Sequence, residues 1–381
     1  MLSQEIRNYI SDHTQETYDL LVTLAQIPAP SNHEEKRVAF LTELLESWGA
    51  KGVYTDEALN VVFPYDDDGE KPLVVFMAHT DVVFPDTTPL PLHVDGDRLC
   101  CPGVGDDTAN LVTMLMVVKY LLTHPMKTKD LGVIFVANSG EEGLGNLKGS
   151  RQICKTYGSR MKRFYSFDGG LRNITTDAVG SSRFKVSADT IGGHSYGKFG
   201  NPNAIAGIAE VIRDIYSLTV PEYGKTTYNV GTISGGTSVN TIAQHVEMLC
   251  EYRSSDLRSI AIMEDHFQRI FSSRNTDDVH LTVELVGSRP CGALDETARK
   301  EQMEMFEQAA SILKEYTGKE PSKGAGSTDC NIPLSMNIPS LCYGFYNGQG
   351  AHTREEFIEI SSLKIGYRVA FESILAYFEA E

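Results

Sequence analysis

Apolar residues recur at helical spacing in seven stretches of the chain, and short apolar or β-branched runs lie between them. The spacing predicts helices at roughly 15–27, 33–49, 108–123, 203–217, 256–273, 296–317 and 362–379. The short runs predict strands at roughly 73–78, 132–137, 163–167, 183–189, 227–233, 246–252, 279–286 and 339–345. Strands and helices alternate in the first half, which indicates an α/β layer with a mostly parallel sheet. Ser31 or Asn32 is expected to cap the second helix.

The middle of the chain has a different order of elements. Over residues 180–289 the pattern is strand, helix, two strands, helix and strand, which is the order of a ferredoxin-like β-α-β-β-α-β domain. The Arg289-Pro290 pair marks a turn at its end. We therefore predict a discontinuous α/β domain formed by residues 1–179 and 290–381, with a small α+β domain inserted at 180–289.

Composition narrows the classes of partner. The 381 residues are 41% hydrophobic and 22% charged, and the net charge is −17. Such an acidic chain is a poor match for nucleic acid or an anionic membrane surface. No apolar run approaches the ~20 residues that span a bilayer.

The cysteines and the beginning of the chain bear on its compartment. The seven cysteines include no CxxC pair, so neither a disulfide framework nor a structural zinc knuckle is expected. The first residues lack a basic start followed by an apolar stretch, so we expect no secretory signal and a cytoplasmic protein.

Five residues could form one metal site, because each lies where an apolar run gives way to a polar, Gly-rich turn. They are His79, Asp106, Glu142, Asp168 and His352. Ligands of an open parallel sheet gather at the carboxyl ends of its strands; Asp106 instead lies in a Gly-rich loop at a helix start. Two imidazoles and three carboxylates can hold two divalent cations, and one shared carboxylate would place the cations about 3.5–4 Å apart. The set predicts a hydrolase.

Neighbouring acids extend this hypothesis. Asp81 follows His79 by two residues, so in an extended segment its carboxylate could accept the other ring N–H of that imidazole. Glu141 and Glu142 are adjacent and cannot face the same way, so one can bind metal while the other takes a proton from water.

The motifs HTDVV, GVGDD, SGEEG, FDGG and AHTREEF occur in that order across nearly the whole chain. In this order they resemble the dinuclear zinc exopeptidase and amidohydrolase family. That family includes peptidase T, aminoacylase, acetylornithine deacetylase, succinyl-diaminopimelate desuccinylase and bacterial glutamate carboxypeptidase. The resemblance implies a mostly parallel-sheet zinc-hydrolase catalytic domain carrying an inserted ferredoxin-like lid and dimerisation domain.

The resemblance also implies roles for the candidate residues. Asp106 would bridge two Zn²⁺ ions, with Co²⁺ or Mn²⁺ as alternatives, and the Asp106–Asp107 peptide bond would be cis. His79 and Asp168 would bind one ion, and Glu142 and His352 the other. Glu141 would be the general acid/base and Asp81 the partner of His79.

Further roles follow from motifs later in the chain. GGHSYGKFGNPNAI places His194 at the lid histidine that approaches the scissile carbonyl, from the partner subunit of a homodimer in many members. The resemblance assigns substrate binding to Asn240, Arg253, Gly326 and Ser327. Many members have Lys and Gly where this chain has Thr108 and Asn110. Neither position is a metal ligand in the family.

The function that we expect is cleavage of an amide bond in short peptides by a di- or tripeptidase or another exopeptidase, using water activated by two zinc ions. The alternative is an N-acyl amino acid deacylase, because both enzyme classes cut an amide next to a carboxylate. A non-catalytic binding protein on the same fold would lack a ligand or the base, and all six residues are present.

Overall fold

The computed structural model describes residues 2–379. Two compact units are present: one comprises the chain up to Ala178 together with the chain from Ala293, and the other is Val179–Gly292. The predicted insertion was 180–289. No helix within residues 2–379 is both long enough and apolar enough to cross a membrane.

Ten α-helices are described, and the first unit contains all of them except α6 and α7. They are α1 (Gln4–Asp12), α2 (Thr14–Ala25), α3 (Glu35–Ser47), α4 (Asn110–Thr123), α5 (Lys148–Tyr157), α6 (Ala204–Tyr216), α7 (Leu257–Arg274), α8 (Glu296–Thr317), α9 (Asn331–Ser335) and α10 (Leu363–Leu375). All seven predicted helices are confirmed, whereas α1, α5 and α9 were missed.

The first unit is built on an eight-stranded sheet. Its strands are β1 (Tyr54–Thr55), β2 (Val61–Asp66), β3 (Leu73–His79), β6 (Gly132–Asn138), β7 (Met161–Ser166), β8 (Asn173–Ala178), β15 (Ser322–Gly326) and β16 (Ser340–Cys342). The spatial order is β1-β2-β6-β3-β7-β16-β8-β15. The central strands β6, β3, β7 and β16 run parallel. The mixed α/β fold with a mostly parallel central sheet is therefore confirmed.

The central strands are apolar throughout because both faces of the sheet are covered. Every residue of β3 is buried. Val74 and Phe76 pack into the cluster that includes α2, α4 and α10, whereas Val75 and Met77 pack on the opposite face against residues of α5 and α9. A strand buried on both sides has a continuous run of hydrophobic residues, which is why the sequence predicts it well.

The first unit also contains a small antiparallel sheet with the strand order β17-β18-β5-β4. Its strands are β4 (His93–Asp95), β5 (Arg98–Cys100), β17 (Gly348–Gln349) and β18 (Phe357–Glu359).

The second unit has the predicted ferredoxin-like order. Its antiparallel sheet is β11-β13-β9-β14, formed by β9 (Gly180–Asp189), β11 (Thr226–Gly235), β13 (His245–Ser254) and β14 (His280–Arg289). Helices α6 and α7 pack on the sheet around a core of their own. A separate two-stranded antiparallel sheet of β10 (Gly193–His194) and β12 (Thr241–Ile242) completes the unit.

Candidate metal centre

The five predicted ligands are brought together at one edge of the large sheet. His79 ends β3, Glu142 follows β6 and Asp168 follows β7. These three strands are parallel neighbours, so their carboxyl ends meet. Asp106 lies in a tight turn at Val104–Ala109 before α4, and His352 follows β17.

Asp106 lies between the two histidines. Its Oδ1 is 3.1 Å from His79 Nε2 and its Oδ2 is 3.1 Å from His352 Nε2. His352 Nε2 is also 3.1 Å from Glu142 Oε1. Ligand atoms of His79, Asp106 and Asp168 lie within 4.8 Å of one another, and so do those of Asp106, Glu142 and His352. Two three-residue groups therefore share one carboxylate.

The charges of the site fit a cation. Burial and the nearby Asp106 charge raise the pKa of Asp168 to about 7. Burial alone would lower the pKa of His79, but the surrounding carboxylates raise it well above the usual value. Hydrogen bonds to Asp106 and Glu142 raise the pKa of His352 to about 11. Protonated imidazoles thus supply positive charge that bound metal ions would otherwise bring to these carboxylates.

Asp107 and Asn110 hold the turn that carries Asp106. The Asp106–Asp107 peptide bond is cis, as the resemblance implied. The main-chain N–H of His79 donates to Asp107 Oδ2 at 2.9 Å, and Asn110 Nδ2 donates to Asp107 Oδ1 at 2.7 Å. Asn110 also accepts the N–H of Phe345 at 2.7 Å. This chain's Asn110 therefore ties the turn to the strand region after β16.

Thr108 and Arg37 form a second support that the sequence analysis missed. The guanidinium of Arg37 is buried and donates to the carbonyl of Thr80 at 2.8 Å and to Thr108 Oγ1 at 3.2 Å. Its Nε donates to the carbonyl of Ile27 at 2.9 Å. Burial lowers the pKa of Arg37 to about 10, so it remains charged near neutral pH. A positive charge therefore lies beside Thr108.

Glu356 is a third support that the sequence analysis missed. Its buried carboxylate accepts the main-chain N–H groups of Gly103 at 2.5 Å, Gly105 at 2.9 Å and Asp106 at 2.8 Å. Burial raises the pKa of Glu356 to about 7. The only signal in the sequence was its place in the AHTREEF motif, four residues after His352.

Asp81 contacts His79 differently from the prediction. The ring Nδ1 of His79 is 3.0 Å from the main-chain carbonyl of Asp81 and 3.5 Å from its carboxylate, so the carbonyl is the hydrogen-bond acceptor. The carboxylate instead accepts the N–H groups of Glu141 and Glu142, each at 3.0 Å, and the hydroxyl of Ser31 at 2.7 Å. Asp81 thus connects the histidine to the two glutamates.

His194 and Asn240 lie side by side in the second unit. His194 pairs with Thr241 across the β10–β12 sheet, and the N–H of Ser195 donates to the Asn240 carbonyl at 3.0 Å. His194 Nδ1 accepts the N–H groups of Tyr196 and Gly197, each at 3.3 Å. Its proton is therefore on Nε2, which can donate.

Arg253 lies near the other end of the second unit. It is eight residues along β13 from His245, about 26 Å at strand rise. The β10–β12 sheet that carries His194 lies beyond His245. The guanidinium is bidentate on its own neighbour Glu251, at 2.8 and 3.1 Å.

Gly326 and Ser327 lie in the first unit, where Gly326 ends β15 and Ser327 follows it. The next residues lead into α9 through Asp329, whose carboxylate accepts the side-chain amide of Asn138 at 2.6 Å. Because Asn138 ends β6, this hydrogen bond connects the Gly-rich segment to a strand that precedes Glu141 and Glu142.

Comparison with known proteins is consistent with this arrangement. The family model of Peptidase family M20/M25/M40 matches residues 75–376. A probable carboxypeptidase of Ajellomyces dermatitidis is 24% identical over 290 residues, covering 67% of this chain and 64% of that protein. The chain therefore matches less than two thirds of that relative's length.

Two further matches extend over almost the whole chain. A Mycobacterium tuberculosis protein named provisionally as the succinyl-diaminopimelate desuccinylase DapE is 24% identical over 355 residues, covering 91% of this chain and 94% of that protein. The crystal structure of a Staphylococcus aureus tripeptidase superposes with a TM-score of 0.74 at 22% identity, covering 96% of this chain and 98% of that one.

Proposed function

The chain belongs to peptidase family M20/M25/M40, and from this membership we propose that it cleaves an amide bond in short peptides, as a di- or tripeptidase or another exopeptidase. The observation that carries the proposal is the position of Asp106. Its two carboxylate oxygens face two different imidazoles, and each imidazole has a further carboxylate beside it. This arrangement suits two divalent ions that share one ligand.

We assign His79 and Asp168 to one ion, Glu142 and His352 to the other, and Asp106 to both. Zn²⁺ is the ion that we propose, although the same nitrogen and oxygen ligands accept Co²⁺ or Mn²⁺. When bound, such ions polarise a carbonyl oxygen and lower the pKa of water toward ~7.

Glu141 is the general acid/base in this proposal. It is buried, and its N–H is held by the Asp81 carboxylate that also holds Glu142. In this position the Glu141 carboxylate would accept a proton from the attacking water and return it to the departing amine. His194, with a proton on Nε2, would donate a hydrogen bond to the developing oxyanion.

The separation within the second unit supports a homodimer in which His194 acts in trans. A short peptide cannot contact both ends of β13, because about 26 Å of strand lies between Arg253 and His245. We propose that one chain supplies Arg253 and its partner supplies His194 and Asn240. Gly326 and Ser327 would contact the substrate from the first unit.

The alternative substrate class is the N-acyl amino acids. The similarity to the desuccinylase relative over 91% of this chain favours this class. The likeness to the tripeptidase shows the fold and leaves the choice to experiment. The cytoplasmic location stays a prediction.

The test is hydrolysis by the zinc-loaded full chain of a panel of dipeptides, tripeptides and N-acetyl or N-succinyl amino acids. Glu141→Gln should lower kcat by at least ~100-fold while the bound metal, measured by mass spectrometry, stays at two equivalents. Glu43→Gln, which removes an exposed carboxylate of α3, is the matched control. A near wild-type rate for Glu141→Gln would exclude the mechanism. Fewer than one bound equivalent of metal after reconstitution would favour a binding protein.

A further inference from the structure

A pocket of about 420 Å³ lies in the first unit, and Glu142 forms part of its wall. The pocket is therefore next to the ligand group of Asp106, Glu142 and His352. Its size falls within the range of small-ligand sites. The apolar part of the lining comes from the loops before α3, after β3 and after β6, and consists of Pro30, Val83, Phe84, Pro85 and Leu144.

Phe84 is a fixed part of the pocket lining, whereas Leu144 is an exposed part. Phe84 is buried, and the guanidinium of Arg354 lies over its ring at 4.7 Å from the centroid. Arg354 is also paired with Asp86 at 2.6 Å. By contrast Leu144 is 59% exposed, although it is a large apolar side chain. An exposed leucine beside a metal-ligand group is available to contact a bound molecule.

The charges of the pocket lining determine which chemical groups of a substrate the pocket can accept. Within residues 2–379, no lysine or arginine lines the pocket, and Glu142 is its acid. The nearby Lys148 is engaged by buried Glu34 at 2.9 Å. The exposed His33 is the other titratable residue of the lining. A carboxylate buried among these apolar side chains would lose water without a lysine or arginine of the lining to pair with it, so the lining disfavours acidic groups.

We propose that this pocket binds an apolar side chain on the residue that supplies the scissile carbonyl. The inference rests on the proposed function, in which Arg253 binds the carboxylate on the leaving side of the amide. The carbonyl side is then left for the pocket beside Glu142. The substrates would be short peptides with a residue such as leucine before the cut, or amino acids with an apolar acyl group, and glutamyl or succinyl groups would be rejected.

Dipeptides test the inference because they contain a single amide, so the residue before the cut is unambiguous. We expect kcat/KM for Leu-Gly to exceed that for Glu-Gly and for Gly-Leu by at least ~10-fold, the size of a few buried methylene groups. N-pentanoyl and N-succinyl amino acids give the same comparison for a deacylase. Equal rates for Leu-Gly and Glu-Gly would overturn the inference.

Leu144→Lys supplies the missing cation at an exposed position. It should lower the Leu-Gly to Glu-Gly ratio by at least ~10-fold, since it removes apolar contact and adds a partner for the glutamyl carboxylate. Val94→Lys, which adds the same charge at a residue 52% exposed and outside the pocket, should leave the ratio unchanged. Circular dichroism checks the fold of both variants. An unchanged ratio in Leu144→Lys also overturns the inference.

A binding measurement distinguishes an error in the pocket inference from an error in the proposed function. Calorimetric titration of the zinc-loaded Glu141→Gln variant with Leu-Gly and Glu-Gly measures preference without turnover. If no panel substrate is hydrolysed by the wild type but Leu-Gly binds at least ~10-fold more tightly, the proposed function fails and the pocket stands. If substrates are hydrolysed and the two dipeptides bind equally, the pocket fails and the function stands.

Discussion

Glu356 binds the main chain of Asp106, the residue that faces both histidines of the site. Glu356 Oε1 accepts the Asp106 N–H at 2.8 Å, and the same carboxylate accepts two further N–H groups from Gly103 and Gly105. No side chain of the turn makes these contacts, so the position of Asp106 depends on a residue about 250 positions away in the chain.

Glu356→Gln should therefore weaken metal binding. A side-chain amide has only one acceptor oxygen, and its NH₂ group would face an N–H donor of the turn. We expect affinity for Zn²⁺ to fall about 10–100-fold, the usual effect of losing a residue that supports a ligand. Competition with a chelating dye measures the affinity. Glu355→Gln removes the neighbouring, exposed carboxylate and should leave it unchanged. Equal affinities for Glu356→Gln and the wild type would contradict the prediction.

Arg37→Met should destabilise the first unit. The substitution leaves the carbonyls of Ile27 and Thr80 without a donor and removes a buried charge near Asp81 and Asp107. We expect the free energy of unfolding to fall by about 3–5 kcal/mol. Urea unfolding followed by fluorescence of Trp48, the single tryptophan, reports on this unit because Trp48 follows α3.

Arg7→Met provides the comparison for Arg37→Met. Arg7 is exposed on α1, so its replacement should change the free energy of unfolding by less than ~0.5 kcal/mol. If the free energy of unfolding falls by the same small amount in both variants, the buried guanidinium of Arg37 contributes no more to stability than the exposed one of Arg7.

The parts of the fold that the sequence predicted are those with strong apolar patterns. β3 is a buried run and α8 has 22 residues of helical spacing, so each pattern had a single interpretation. β15 has the sequence SKGAG and no apolar pattern, because only main-chain pairing with β8 makes it a strand. The short exposed strand β4 was missed for the same reason.

The candidate site also contains residues that the sequence predicted and residues that it did not. The five candidate ligands could be selected from the sequence because each is a His, Asp or Glu at a strand end or helix start, and the structure brings them together. Glu356 and Arg37 could not, because their partners are main-chain groups that only the folded chain brings to them. The predicted cap of α3 was wrong: α3 begins at Glu35, and Ser31 donates its hydroxyl to Asp81. Tertiary contact determined the role of that side chain.

Asp256 caps α7, and its contribution to stability should depend on pH. Its carboxylate accepts the N–H of Arg258 at 2.8 Å, and the hydrogen bond from the Arg258 side chain lowers its pKa from 3.8 to about 2. Because the folded pKa lies below the unfolded one, the stabilisation is fully present above pH 3.8 and is lost as the pH falls toward 2.

Asp256→Ala should cost about 1 kcal/mol at pH 7, mainly through the lost cap, since the exposed ion pair is screened by solvent. The difference from the wild type should narrow as the pH falls from 4 to 2, as measured by urea unfolding with circular dichroism. Asp265→Ala removes a carboxylate from the interior of the same helix and should cost less than ~0.5 kcal/mol. If the difference in free energy of unfolding between Asp256→Ala and the wild type grows as the pH falls, the prediction is contradicted.

Glu251 contacts the guanidinium of Arg253, the group that we propose binds the substrate carboxylate. Nε and Nη2 of Arg253, which form one edge of its guanidinium, both donate to Glu251, which also contacts Arg183 at 3.2 Å. A substrate carboxylate that binds this edge would have to compete with Glu251. Glu251→Gln weakens the competitor, so KM for a dipeptide with a free carboxylate should fall several-fold, while KM for its C-terminal amide should not change.

The comparison of acid and amide separates recognition by Arg253 from a general effect on the unit. Glu247→Gln, on the same strand and paired with Lys185 at 2.7 Å, removes an equivalent charge and should change neither KM. Arg253→Lys should raise KM for the acid alone, since an ammonium group cannot form the planar fork. If KM for the acid rises in Glu251→Gln, then Glu251 orients Arg253 rather than competing with the substrate. If Arg253→Lys changes KM for the acid and KM for the amide equally, the substrate carboxylate is bound by another residue.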